Sequence, residues 1–413
     1  MKFNKWTLGL AALGVVSLAS AARADEAKMS QVQTALSNTT LSGYVDTSIN
    51  WNPSGGGSIA PVAFQGISSS PKANGFNLNV IDLALDKPED EGPWASGYHV
   101  ELWVGPDADT LGTQSSGGST SDFAIRQAYI TLRTPVGNGI DWKVGVFDTI
   151  IGYESTSSPL NPNYTHSYGY SMEPTTHTGL LATYRFCDAL SVTAGMADSK
   201  GPVVNDRTPQ TTAPVAADTF LAYMGSVSLT APDSWGWAKG ATLSVGVVTG
   251  DGSNGAYGND ATTSWYVGGV LPTPNSNLKL GASFDYLTDY NHPGFPGYGT
   301  SAGGPGTGPG GNPWALAVYA NFQATQKMSL NGRFEWAKSY LSTVAGFNNL
   351  SSQQNAIAFT GTIQYDLWAN VLTRLEFRWD HASTGIYGGS LNGSKTPGEE
   401  NAIMVALQAI YKF

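Results

Sequence analysis

Apolar and polar side chains alternate with a period of two along much of this chain, most clearly in its C-terminal half. Met328, Leu330, Gly332, Phe334 and Trp336 are interleaved with Ser329, Asn331, Arg333, Glu335 and Ala337. Val371, Thr373, Leu375, Phe377 and Trp379 are interleaved in the same way with Leu372, Arg374, Glu376, Arg378 and Asp380. A helix of 3.6-residue period would scatter these charges around its surface, whereas a strand gathers them on one face. The pattern predicts strands near 41–51, 76–86, 96–104, 123–133, 140–150, 178–186, 189–197, 219–230, 241–250, 262–271, 277–289, 313–325, 328–340, 355–367, 371–382 and 401–413. Most run about 10–13 residues, against a globular mode of ~5–6, and match the ~9–11 residues a tilted strand needs to cross a bilayer.

The connections alternate between long and short. Long ones hold stretches such as GPDADTLGTQSSGGSTSD, the region 151–177 and HPGFPGYGTSAGGPGTGPGGNP, while short ones hold TPVGNG, CDA, PTPNSN, QATQK and DLWAN. An even strand count returns both ends to one side. Together these features predict an all-β fold: a transmembrane antiparallel up-and-down β-barrel of about 16 strands, with long external loops and short periplasmic turns. In such a barrel the apolar face meets lipid and the polar face lines the lumen. The pattern is mixed in 123–133, where Arg126 and Ile130 share a parity.

Composition agrees with this picture. Charged residues are 13% of the chain and its 50 glycines are about 12%, against roughly 25% and ~7% in ordinary soluble domains. Residues 1–24 read as a cleaved secretory signal peptide: Lys2 and Lys5, an apolar run from Trp6 to Leu18, then Ala22-Arg23-Ala24. After it no apolar run is long enough for a transmembrane helix. Residues 25–40 are expected to be a short periplasmic segment and 41–413 the barrel. The formal charge of −10 includes Lys2, Lys5 and Arg23, so removing the leader leaves −13. That balance disfavours nucleic acid as a partner. The single Cys187 permits no internal disulfide.

No cofactor or metal pattern stands out: the five histidines are scattered, with no H-E-x-x-H, and there is no G-x-S-x-G elbow. His99 and His381 read as lumen lining rather than as catalytic bases, and no enzyme is expected. Sixteen strands enclose an aqueous channel rather than a packed core. The predicted lumen face carries His99, Glu101, Lys143, Arg185, Asp285, Arg333, Glu335, Arg374, Glu376, Arg378 and Asp380. Opposed charges there would set up a transverse field on passing solutes, or would simply brace the wall. The third long loop holds Tyr153, Glu154, Tyr164, His166, Tyr168, Tyr170, Glu173 and His177. Folded inward it would narrow the pore, and its tyrosines would be placed to stack on sugars or other ring-bearing solutes; folded outward it would be a surface lid. Trp51, Trp94, Trp142, Trp235, Trp237, Trp314, Trp336, Trp379 and Tyr411 fall near strand ends, as interfacial girdles require.

The FDTIIGYE and NYTHSYGYSMEPTTHTG stretches, together with the aromatic final strand IMVALQAIYKF, resemble the OmpL-like β-barrel porin family of outer-membrane proteins. The likeness spans most of 41–413. It implies that the third external loop folds into the lumen opposite basic residues, with Arg126, Lys143, Arg333 and Arg378 as candidates. It also implies that Tyr411 and the terminal Phe413 are what the barrel-assembly machinery reads. The expectation is an outer-membrane channel for passive diffusion of small hydrophilic solutes. A substrate-specific channel or an outer-membrane enzyme are the alternatives, and a homo-oligomer is open. Outer-membrane lipid is the expected surroundings, and the net-negative external loops favour cations at the mouth.

Overall fold

The structure is a computed structural model and describes residues 39–53, 74–90, 92–111, 122–205, 221–251, 261–289, 312–338, 355–383 and 399–413. The signal-peptide and most of the N-terminal-segment expectations lie outside these residues. The strands are β1 (Thr40–Trp51), β2 (Gly75–Lys87), β3 (Ser96–Val104), β4 (Phe123–Thr134), β5 (Ile140–Asp148), β6 (Thr176–Cys187), β7 (Leu190–Ala197), β8 (Ala222–Thr230), β9 (Thr242–Asp251), β10 (Ala261–Pro272), β11 (Leu278–Asp289), β12 (Trp314–Gln323), β13 (Met328–Lys338), β14 (Asn355–Trp368), β15 (Val371–Ala382) and β16 (Asn401–Lys412). Each pairs antiparallel with its neighbours in sequence, and β1 pairs with β16 to close the barrel. Closure joins the two strands that would otherwise be sheet edges, over Tyr44–Trp51 and Val405–Lys412. A six-residue helix, α1 (Pro106–Leu111), opens the connection from β3 to β4.

Side-chain alternation sets the orientation of the sheet. Leu375, Phe377, Phe334, Trp336 and Leu407 are exposed on the outer face, while Arg374, Glu376, Arg378 and Asp380 are buried on the inner one. An apolar exterior and a charged interior is the arrangement a bilayer stabilises. Trp51, Trp94, Trp235, Trp237, Trp368 and Tyr411 are exposed near the strand ends.

The mixed faces of β4 have a physical cause. Glu101 pairs with Gln127 and Leu102 with Ile125, so Arg126 is an extra residue in a bulge. Ala124 before it and Arg126 itself are buried; after it Ile130 and Leu132 are exposed. An extra residue reverses the parity of the remaining strand. Arg126 and Ile130 can therefore share a parity and still point to opposite sides.

Candidate functional site

The connection from β5 to β6, residues 149–175, is described throughout and carries two 3₁₀ turns, Ser158–Leu160 and Tyr170–Met172. It lies inside the barrel. Its groups bond to inward-facing side chains of β1, β2 and the strands from β10 to β16.

The charge ladder of β13 and β15 holds this loop. Arg333 pairs with Glu154 at 3.0 Å and donates to the Thr165 and His166 carbonyls at 2.6 and 3.0 Å. Arg378 donates to the His166 carbonyl at 2.8 Å and pairs with Asp380 at 2.8 Å. Arg374 donates to the Ser158 carbonyl at 3.2 Å and also to that of Asn161. The acids of the ladder take the loop's donors. Glu376 accepts the Tyr164 and Thr165 backbone N–H groups at 2.6 and 2.9 Å, and Glu335 accepts that of Tyr168 at 2.6 Å. Alternating sign along the strand thus matches alternating carbonyls and amides of the loop. Arg333 and Arg378 also share Glu335, at 2.7 and 3.2 Å. Burying charge is tolerable only when it is paired and hydrogen-bonded this fully.

Within the loop, burial works against ionisation of Glu154, but the Arg333 guanidinium and His166 outweigh it and hold the carboxyl down to about 2. His166 bonds Glu154 at 3.0 Å and stacks on Tyr170 with ring centres 3.8 Å apart.

The loop tyrosines are directed at the wall. Tyr164 shares a hydrogen bond with Ser48 at 2.9 Å, and Tyr168 donates to Asp380 at 2.7 Å. Tyr153 stacks on Tyr319 at 4.1 Å, and Tyr170 packs with Tyr44, Trp103 and Leu372. All four are buried, so their faces are not offered to a passing ring. This corrects the expectation that they stack on solutes: wall contacts occupy them. The other candidates of the loop group lie at its end, Glu173 against β11 and His177 in β6, where His177 meets Thr149 at 3.2 Å.

The remaining predicted lumen residues lie on a different arc of the wall. His99 meets Asp86 at 3.1 Å and stacks on Tyr129 at 5.3 Å. Glu101 accepts from Gln127 at 2.9 Å. Arg126 pairs with Asp148 at 2.5 Å over the Trp103 ring, and the Lys143 ammonium sits 4.6 Å above Tyr129. Arg185 lies near Asp141. Of the four basic residues expected to face the loop, Arg333 and Arg378 bond to it; Arg126 pairs with Asp148 of the wall and lies near Tyr170 of the loop, and Lys143 sits over Tyr129 of the wall. Asp285 faces the end of the loop.

Several residues that hold the loop escape sequence reasoning. Gln408 donates to Ser158 and to Asp46, both at 2.8 Å; Asn163 donates to Thr362 at 2.6 Å and Tyr319 to Glu154 at 2.9 Å. Inward parity marks Gln408, Tyr319 and Thr362, but nothing in the sequence marks what they meet. Glycines form a further support. A β-carbon at Gly246 would overlap Ile151 and one at Gly281 would overlap Tyr153, so bare backbone on β9 and β11 makes room for the start of the loop.

The chain matches, over residues 38–413, the family described as "Putative beta-barrel porin-2, OmpL-like". The chain belongs to this family. The OmpL-like porin is therefore an outer-membrane channel protein, in agreement with its closed sixteen-stranded barrel. It is similar in fold to the outer-membrane channel DcaP of Acinetobacter baumannii, with a TM-score of 0.57 at 14% identity over 93% of this chain and 99% of that one. An anion-selective porin from Comamonas acidovorans gives 0.56 at 12% identity over 91% and 99%. OmpT of Vibrio cholerae, in its trimer form, gives 0.53 at 11% identity over 91% and 99%. Identities this low establish the barrel, not the solute. No curated protein matches the chain.

Proposed function

We propose that this porin passes small hydrophilic solutes by passive diffusion and that residues 149–175 form its constriction. The observation that supports this reading is the bonding of the loop to both signs of the β13 and β15 ladder, which favours a place inside the lumen over one across the mouth. A narrowed opening limits solute size, and the remaining inward charges on the β3 to β6 arc act on whatever enters. Burial of the loop tyrosines favours general diffusion over a channel specific for ring-bearing solutes.

Deleting 156–172 should raise single-channel conductance in planar bilayers while heat-modifiable gel migration stays that of a folded barrel. Unchanged conductance would reject the constriction. The net-negative external loops further propose a cation preference. A reversal potential of the opposite sign would assign selectivity to the inward arginines instead. Residues 1–24 are proposed to be removed on export, to be checked by the mass of the mature chain.

A further inference from the structure

The two ends of the inward loop meet at one place. Glu173, 5% exposed, reaches back to Gly152 and accepts the Tyr153 N–H. Asp285 faces it from β11, 3% exposed. The two carboxyl groups are within hydrogen-bonding reach of each other. Yet neither Asp285 oxygen receives a donor among the described residues. The backbone closes in on both sides: a β-carbon at Gly152 would overlap Glu173 Oε2, and one at Gly169 would overlap Asp285 Oδ2. Two ionised carboxylates buried face to face with no donor between them repel each other, and one proton between them removes the repulsion.

We propose that Glu173 and Asp285 share one proton, and that this proton pins the constriction loop to β11, so that the channel widens as pH rises. The proposal rests on the reading of 149–175 as the constriction. The groups facing the pair are Tyr266 of β10 and Glu154, Tyr153 and Tyr170 of the loop. Glu154 is itself held by Arg333 and His166, which leaves the pair to settle its charge with a proton. Burial, and then the Asp285 charge, push the Glu173 carboxyl well above its ordinary range.

The sign follows from proton linkage. In a detached loop Glu173 titrates near the ordinary value of about 4.3; docked, it keeps its proton to higher pH. Between those limits the docked form holds more protons, so docking weakens as pH rises, by up to about tenfold per pH unit for one proton. Below the ordinary range the stabilisation is complete.

The test compares wild type, Asp285→Asn, Glu173→Gln and the 156–172 deletion in planar bilayers from pH 4.5 to 9, with heat-modifiable migration as the folding control. Wild-type conductance and open-channel noise should rise with pH. Either amide variant should lose that dependence, because an amide donates to the remaining carboxyl at any pH. An infrared difference spectrum of wild type minus Asp285→Asn at pH 7 should show a protonated carboxyl band. A wild-type pH slope retained in both amide variants, or the absence of that band, overturns the proposal. If the deletion leaves conductance unchanged, the constriction reading fails, and the infrared band still decides the shared proton. Should Asp285→Asn not fold, Glu173→Gln serves in both measurements.

Discussion

Glu376 is held by four donors, three of them from the loop: the Tyr164 and Thr165 N–H groups, the Thr165 hydroxyl, and the Thr362 hydroxyl. Glu376→Gln keeps the shape but turns one acceptor into a donor facing donors. An unsatisfied buried group costs about 1–3 kcal/mol, enough to shift a docked loop toward detachment. The variant should give a noisier channel with unchanged heat-modifiable migration; a trace as quiet as wild type would mean the loop is held without Glu376. Glu154 sets the opposite pH limit to Glu173. Its carboxyl is held down to about 2, so its contribution is complete above the ordinary carboxylate value near 4.3 and fades as pH falls toward 2. Noise should therefore rise again in strong acid, and Glu154→Gln should abolish that acid limb. An acid limb that survives the substitution would place its origin elsewhere. The alternation of sign in Arg374, Glu376, Arg378 and Asp380 is plain in the sequence, but a two-residue period reports which face a side chain takes, not what lies opposite it. These charges read as lumen lining that acts on solutes or braces the wall; the loop backbone they meet is not legible, because a long-range contact leaves no mark in local spacing.

Among the elements, the strands are the most legible part. Every strand expected from alternation forms, with ends shifted by up to three residues, as at β8, which begins at Ala222 instead of 219. Legibility fails where local rules are broken on purpose. At the β4 bulge one extra residue changes parity, and only the partner strand reveals it. The wall glycines are a second case, since a glycine in a strand reads as weak propensity until the residue seated against it is known. Gly281→Ala should displace Tyr153 from its stack on Tyr319 and loosen the start of the loop, raising conductance. Gly332→Ala is the matched control, because a β-carbon there meets nothing within 4 Å. Equal conductance in both variants would remove the glycine's supporting role.

For the molecule as a whole, the closing seam joins the first strand to the end of the chain. Gly43 and Phe413 exchange both backbone hydrogen bonds, at 3.1 and 3.0 Å, one residue beyond the Tyr44–Lys412 pairing of β1 and β16. The Phe413 ring comes within 2.8 Å of where a β-carbon of Gly43 would be, an aromatic covering a strand glycine. Tyr411, paired with Val45 and Val371, points outward and is half exposed. The terminal ring thus sits at the seam, and the resemblance to porins leads us to propose a second task for it as an assembly signal. The two tasks predict different failures. Phe413→Ala keeps the backbone bonds and removes only the ring. If the ring is mainly a signal, the variant should accumulate poorly in the outer membrane of cells yet refold in detergent with near wild-type yield and conductance. If the ring is mainly a cover for Gly43, refolding in detergent should suffer as well, and Gly43→Ala, which crowds the ring and the Asp82 carbonyl, should reproduce the defect with the terminal residue intact. We expect the first pattern, because the two backbone bonds remain to hold the seam without the ring. Equal loss in cells and in detergent would assign Phe413 to closure alone.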